Sequence, residues 1–263
     1  MTNQPMRRTD TNKARIGIPW RTSAEEAANE RPRIQGYADS VLAAGGEPVL
    51  LSLHDGAGFE AALAALDGFV LPGSPADVEP AEYGAKNRGL SEPADLPRER
   101  ADRAILGHAL REQKPVLAIC YGCQLLNVYR GGTLIQDLRS ETGTTVPHRK
   151  KDVSPDARVD PQHPVKLAPG SLLARLAGGT DVVVNSSHHQ SVEKAGRDLR
   201  VTGVSTADGI VEGLEWTGDT NWIVGVQWHP ERMTGDALAD RLFAELVASA
   251  QKTGSNRRAA AES

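Results

Sequence analysis

The stretch Pro115-Val116-Leu117-Ala118-Ile119-Cys120-Tyr121-Gly122-Cys123-Gln124-Leu125-Leu126-Asn127-Val128 changes character halfway along. Its first part is an apolar run of strand length, entered through a proline. Its second part has helical spacing, with Leu125, Leu126 and Tyr129 on one side. Cys120 sits at the junction, between Ala118 and Gly122. A strand that breaks sharply into a helix strains the corner residue and needs small neighbours, which is the geometry of a nucleophile elbow, here with cysteine in the usual serine position. The helix N-terminus behind the sulfur would favour an anion there. The same residues also read as a C-x-x-C redox pair, Cys120 and Cys123, or as two thiols that merely fill a buried core.

On either side of this stretch, short apolar strands alternate with helices. Strands are expected at 14–20, 47–51 and 68–71, and helices at 34–44, 59–66 and 98–112. That alternation predicts βαβ units and an α/β fold: a doubly wound, mostly parallel sheet with helices on both faces. Residues 77–97 read as a loop excursion. Residues 139–165, with prolines at 147, 155, 161 and 164, read as irregular. Strands at 181–185, 199–204 and 210–216 add a small antiparallel extension, with turns at 207–209 and 218–219. An apolar strand at 222–228 delivers His229-Pro230-Glu231, and a last helix at 236–250 buries Leu238, Leu242 and Leu246. One domain is expected over 14–250, with disordered tails at 1–13 and 251–263.

The 263 residues suffice for a sizeable core. A net charge of −4 with interspersed signs argues against nucleic acid or an anionic membrane as partner, and 4% aromatic content argues against a stacking platform for single strands. No apolar run approaches the roughly 20 residues of a membrane helix. The polar N-terminus lacks a secretory core. Two cysteines three positions apart make no extracellular disulfide framework, so a cytoplasmic protein is expected. The histidines and cysteines show no paired zinc-ligand spacing, so neither a metal nor a cofactor is expected.

A cysteine nucleophile needs a base, and the base needs an orienting group. His229 and Glu231 supply both. In extended geometry they share a face, and Pro230 stiffens the pair. Sites in doubly wound folds gather at the carboxyl ends of strands, where Cys120 and His229 both fall. Leu71-Pro72-Gly73-Ser74-Pro75 also follows a strand. Its turn can aim backbone N–H groups inward, and the N–H groups of Ser74 and Tyr121 are the expected oxyanion donors.

Five segments in order, LPGSPADVEP (71–80), AICYGCQLLNVYRGGTL (118–134), VNSSHHQ (184–190), DGIVEG (208–213) and GVQWHPE (225–231), resemble the class I glutamine amidotransferase-like hydrolases. More narrowly, they resemble the γ-glutamyl-γ-aminobutyrate hydrolase family, peptidase family C26, of bacterial putrescine degradation. The resemblance spans residues 14 to 250 and implies a flavodoxin-like fold. It also implies a Cys-His-Glu triad on Cys120, His229 and Glu231, an oxyanion turn at Gly73 and Ser74, and a homodimer. It places Gln124 against the α-amino-acid end of a glutamyl group and His189 in the same pocket. Tyr121 departs from the arginine expected in putrescine-pathway members, which leaves the identity of the released amine open. The helix start with Arg98, Glu99 and Asp102 also resembles a family motif, but reads best as a solvated face.

The expected reaction is hydrolysis of a γ-glutamyl amide, a small-molecule substrate, through a γ-glutamyl thioester. The other readings are a glutaminase subunit of an ammonia-transferring amidotransferase, a thiol–disulfide exchanger using Cys120 and Cys123, and a binding protein with a dead site.

Overall fold

Five strands carry the parallel half of the sheet. In the computed structural model, which describes residues 13–261 apart from positions 55, 57, 219 and 220, the chain begins with β1 (Arg15–Pro19), α1 (Ser23–Ala27), α2 (Pro32–Ala43), β2 (Glu47–Leu51), α3 (Phe59–Ala64), β3 (Gly68–Leu71) and α4 (Leu96–Arg111). Next come β4 (Val116–Ile119) and α5 (Tyr121–Tyr129), then β5 (Thr133–Ile135), α6 (Leu138–Thr142) and α7 (Lys150–Val153). The second half holds β6 (Gln162–Leu167), α8 (Leu172–Ala177), β7 (Asp181–Asn185), β8 (Ser191–Lys194), β9 (Leu199–Ser205), β10 (Val211–Trp216), β11 (Ile223–Val226) and α9 (Ala237–Ala261). The main sheet runs β2-β1-β3-β4-β11-β10-β9-β6-β7, and β5 pairs with β8 separately. Pairing is parallel from β2 to β11 and antiparallel from there to β7. The parallel part has the flavodoxin-like order of doubly wound folds.

Period-two alternation divides the core between the two faces. Leu117 and Ile119 of β4 pack with Ile34, Tyr37 and Val41 of α2 and with Leu242 and Leu246 of α9. Val116 and Ala118 pack with Leu63 of α3, Ile105 and Ala109 of α4 and Leu125 and Leu126 of α5. The expected inward residues of α4 (Ala101, Ile105, Ala109) and of α9 (Leu238, Leu242, Leu246) are all buried.

Three expectations are corrected. The 139–165 stretch, read as irregular, holds α6, α7 and the start of β6. Pro164 lies within β6, opposite Val183 of β7, but β6 pairs with β9 only from Val165 onward. The missing proline N–H therefore falls outside the β9 ladder, which is where a strand tolerates proline. Second, α9 continues through 251–261, where a tail was expected; the Arg257-Arg258-Ala259-Ala260-Ala261 run at its end consists of good helix formers, which carry the helix past Thr253, Gly254, Ser255 and Asn256. Third, the start of α4 is not a solvated face: Arg98, Glu99 and Asp102 are buried. The tail expected at 1–13 lies outside the described residues except for Lys13, and the turn at 218–219 lies partly outside them. Among the described residues no helix is long and apolar enough to cross a membrane.

Candidate active site

The carboxyl ends of β1, β3, β4 and β11 lie side by side and deliver Arg21, Gly73, Cys120 and His229 to one place. Cys120 has φ +53° and ψ −107°, the strained corner expected of an elbow, and its N–H donates to the Val226 carbonyl (2.8 Å). Such a conformation costs on the order of 1–3 kcal/mol and persists only where its surroundings enforce it. Gly122 allows the turn: a Cβ there would be driven onto the Leu71 carbonyl oxygen and stand 2.8 Å from the Leu71 Cβ.

His229 reaches the same point from β11. Its backbone is held twice by Asn185 at the end of β7: the His229 N–H donates to Asn185 Oδ1 (2.8 Å), and Asn185 Nδ2 donates to the His229 carbonyl (2.9 Å). Its Nδ1 is 2.7 Å from Glu231 Oε1, and both side chains are buried. The Nδ1–H therefore donates to the carboxylate, and Nε2 is left for the sulfur. Burial lowers the imidazole pKa, but the charges of Glu231 and then Cys120 outweigh it and raise it to about 9. Burial would raise the Glu231 carboxyl, and the His229 charge reverses that and holds it low. His229 is raised above its ordinary 6.5, so the stability this pair contributes is complete below that value and lost as pH climbs through about 9.

Gly73 lies between the side chains of Cys120 and His229. The point where its Cβ would stand is 2.8 Å from His229 Cε1 and 3.4 Å from Cys120 Cβ. We therefore expect Gly73→Ala to displace the imidazole and lower kcat/KM about 100-fold while the protein stays folded, since misplacements of ~1 Å have that effect. Steady-state kinetics with a circular-dichroism control checks this.

Two buried guanidiniums set the direction of the 72–74 turn. Arg98 donates to the carbonyls of Pro72 (2.6 Å), Trp20 (3.2 Å) and Arg21 (3.0 Å), and pairs with Asp102 at 2.8 Å. Arg21 donates to the Gly73 carbonyl at 2.9 Å. In a trans peptide C=O and N–H point opposite ways. Holding the Gly73 carbonyl thus turns the Ser74 N–H away from Arg21, and among the described residues no protein acceptor takes it. Holding the Pro72 carbonyl turns the Gly73 N–H onto the Tyr37 hydroxyl (3.1 Å). Burial, and then the charge of neighbouring Glu231, push the Tyr37 phenol up. The Tyr121 N–H opens helix α5 and has no intrahelical acceptor.

A cavity of about 330 Å³ opens over Cys120, with Ser74, Gln124 and His189 in its lining. Acidic Asp77 and Glu92 and basic Arg149 and Lys151 face it from the sides. Gln124 is fixed by donating to the Gln190 carbonyl (3.0 Å) and to Gln227 Oε1 (3.2 Å). His189 sits 3.1 Å from Asp77 and 3.4 Å from Asp137. Burial would lower its pKa, but the bonded Asp77 raises it. A larger cavity of about 540 Å³ lies behind Glu231, between α2 and α9, and Cys120 does not line it. Of the residues named from the sequence, Ser74, Cys120, Tyr121, Gln124 and His189 line the smaller cavity, Gly73 and His229 stand beside Cys120, and Glu231 lies behind His229. Tyr121 is only 1% exposed and its ring packs under the Arg98 guanidinium, 5.1 Å from it. Arg21, Arg98, Tyr37 and Asn185 were not assigned roles from the sequence. Arg98 carried a signal, as part of a recognised motif; a buried arginine and a tyrosine within a helix pattern carry none until their partners are seen.

The γ-glutamyl-γ-aminobutyrate hydrolase PuuD of Escherichia coli is 36% identical over 220 residues, covering 82% of this chain and 85% of that one. Protein NtpR of Enterococcus hirae is 34% identical over 197 residues, 75% of this chain and 80% of its own. The glutaminase domain of Trypanosoma brucei CTPS, solved with bound acivicin, superposes with a TM-score of 0.59 at 16% identity over 91% of this chain and 94% of that one, a likeness of fold. The model of the Peptidase C26 family matches residues 16–231. With the fold of the glutamine amidotransferases and that match across most of its length, the chain belongs to the Peptidase C26 family.

Proposed function

We propose that the protein hydrolyses the γ-glutamyl amide bond of small γ-glutamylated amines, with Cys120 as nucleophile. The observation that carries this reading is the convergence around Gly73 of a strained cysteine, an imidazole held by a buried carboxylate, and an N–H fixed in direction by two buried arginines. The Cys120 thiolate attacks the side-chain carbonyl. The Ser74 and Tyr121 N–H groups receive the oxyanion, and each such donor contributes about 3–4 kcal/mol to lowering the barrier. His229 gives its proton to the departing amine, leaving a γ-glutamyl thioester. His229 then takes a proton from water, which attacks the thioester, releases glutamate and restores the thiolate.

The mixed charges around the cavity fit the head of a glutamyl group: Asp77 and Glu92 suit an α-ammonium, and Arg149 and Lys151 an α-carboxylate. The similarity to a γ-glutamyl-γ-aminobutyrate hydrolase supports the same class. The site stands in a protein with two free thiols, in keeping with a cytoplasmic setting. The test is a panel of γ-glutamyl amides, with glutamine included, read by glutamate release. Turnover of γ-glutamylated amines well above glutamine supports the proposal. Turnover of glutamine alone would favour a glutaminase subunit, a reading to which the likeness to a glutaminase domain lends some support. The thiol-exchange reading loses ground. Cys123 is 1% exposed, its sulfur abuts Gly225 of β11, and burial pushes its thiol far up, the reverse of what a resolving cysteine needs.

Glu231→Gln removes the largest influence raising His229. The imidazolium should then lose its proton at lower pH, and with it the general acid. In the native enzyme the basic limb of kcat/KM is expected near pH 9; in Glu231→Gln it should move down by at least one pH unit, roughly the loss of one charged hydrogen-bond partner. An unmoved limb would separate Glu231 from the proton transfer.

A further inference from the structure

Next to the reactive cavity lies a second cluster that the proposed chemistry does not use. His148, from the loop before α7, His163 of β6, His188, from the turn between β7 and β8, and Glu212 of β10 meet in the interior. They are 1%, 3%, 4% and 0% exposed. The His148 ring lies 4.7 Å from that of His163 and 4.8 Å from that of His188, centre to centre. Among the described residues no well-aligned hydrogen bond reaches either Glu212 carboxylate oxygen, His188 Nε2 or either ring nitrogen of His163, although His163 and His188 stand in ion-pair range of Glu212. Buried polar atoms are normally paired, and a buried carboxylate among three imidazoles with no well-aligned hydrogen bond calls for positive charge between them.

The three distances from Glu212 approach those of a coordination shell. Glu212 Oε1 lies 3.2 Å from His163 Nε2, 3.4 Å from His188 Nε2 and 3.7 Å from His148 Nδ1. A tetrahedral zinc site with bonds of about 2.0–2.2 Å has ligand-to-ligand edges of about 3.3–3.5 Å. All four ligand atoms lie within 4.8 Å of one another. Outer partners set two of the tautomers. His188 Nδ1–H donates to the Gln190 carbonyl (2.9 Å), leaving Nε2 free. His148 Nε2–H donates to Asp208 (2.9 Å), leaving Nδ1, for which the Ser186 hydroxyl at 3.1 Å is the competing partner. A carboxylate or backbone carbonyl behind each ligating histidine is the usual support of a metal site. Charge also balances: a dication with three neutral imidazoles offsets Glu212 and Asp208.

We propose that His148 Nδ1, His163 Nε2, His188 Nε2 and Glu212 Oε1 bind one divalent transition-metal ion, zinc first among them, in a closed structural site. The four ligands come from four separate segments spanning 148–212, which is why no paired spacing marks them in the sequence and why no metal was expected. The ion would fasten the turn that carries Ser187, His188, His189 and Gln190 into the cavity wall. The Gln190 carbonyl accepts from both His188 and Gln124, so the fastening extends to the cavity floor.

The test uses the full chain, purified without chelator, stripped with dipicolinate, reloaded with one equivalent of zinc and desalted. Elemental analysis should then find about one zinc per chain, and reloading should raise Tm by more than about 5 °C, as binding to the native state alone requires. Glu212→Gln and His163→Asn should each retain less than a tenth of that zinc, and Cys120→Ser should retain all of it. Cobalt in place of zinc should give the visible bands of a tetrahedral site with no thiolate charge-transfer band, a reading that needs no variant. Reloaded native protein holding under a tenth of an equivalent, with unchanged Tm, would overturn the proposal. So would zinc retained by Glu212→Gln and His163→Asn, or a thiolate band, which would put the metal on Cys120.

Discussion

Cys120→Ala is expected to reduce glutamate release from γ-glutamyl amides by at least about 10⁴-fold, and Cys120→Ser by nearly as much, since losing the nucleophile of a triad removes the covalent path altogether. The expectation rests on position. Cys120 has the strained φ of +53°, points into the charged cavity and stands beside His229. Ser74 and Ser187 also line the cavity, but the imidazole held by Glu231 stands beside Cys120. Cys123→Ala, by contrast, should keep activity within about threefold, because its sulfur is buried against Gly225. Progress curves with the thermal midpoint of each variant separate lost chemistry from lost folding. Comparable losses in both cysteine variants would return the thiol-exchange reading to the front.

Arg98→Met should carry the largest stability loss and a large loss of activity with it. Arg98 is wholly buried, pairs with an equally buried Asp102 and holds the carbonyls of Trp20, Arg21 and Pro72. Breaking a buried pair by removing one partner costs about 3–5 kcal/mol, because it leaves an uncompensated charge. Burial raises the Asp102 carboxyl to about 6 even with Arg98, the largest influence holding it down, in place. Without the guanidinium it rises further. The variant then binds its proton at a pH where the native protein does not, so its deficit should be largest at alkaline pH and shrink as pH falls towards 6. The freed Pro72 carbonyl loosens the turn that aims the Ser74 N–H, so kcat should fall more than KM rises. Denaturant unfolding at several pH values measures the first effect, and kinetics near neutral pH the second. A stability loss independent of pH would argue that Asp102 stays ionised without its partner.

The fold was legible where local pattern and tertiary role coincide. The β4–α5 junction shows its corner in the sequence because small residues must flank it, and Gly122 does stand against the Leu71 carbonyl. The parallel half of the sheet follows from short apolar runs alternating with helices. Strand β6 was hidden by Pro161 and Pro164, though His163, Val165 and Leu167 alternate inward with Gln162, Pro164 and Lys166 outward. That period-two signal was present, and the prolines outweighed it until the sheet showed that the missing N–H lies beyond the β9 ladder. Arg98 and Asp102 read as a solvated face because i,i+4 ion pairs usually are one. Only the crossing of β1 and the 72–74 turn above α4 buries them. Cys120 and His229 were legible as candidates because each follows the end of a strand, whereas Glu231, expected in extended geometry beside His229, lies in a 3-10 turn at Pro230–Arg232 and still meets the imidazole. The residues that hold the site, Asn185, Arg21 and Tyr37, act through backbone groups, which no residue pattern exposes. The histidine cluster is the extreme case, with four ligands from four segments and nothing between them to mark it.

The central claim is that the Cys120 sulfur takes the γ-glutamyl group before water does. Acid quench of the enzyme during turnover of a γ-glutamyl amide, followed by mass spectrometry of the peptide around residue 120, tests it most directly. A mass increase of one glutamyl group is expected, located on Cys120 and absent from Cys120→Ala. Steady glutamate release with Cys120 unmodified throughout, or the same adduct on another residue, would contradict it.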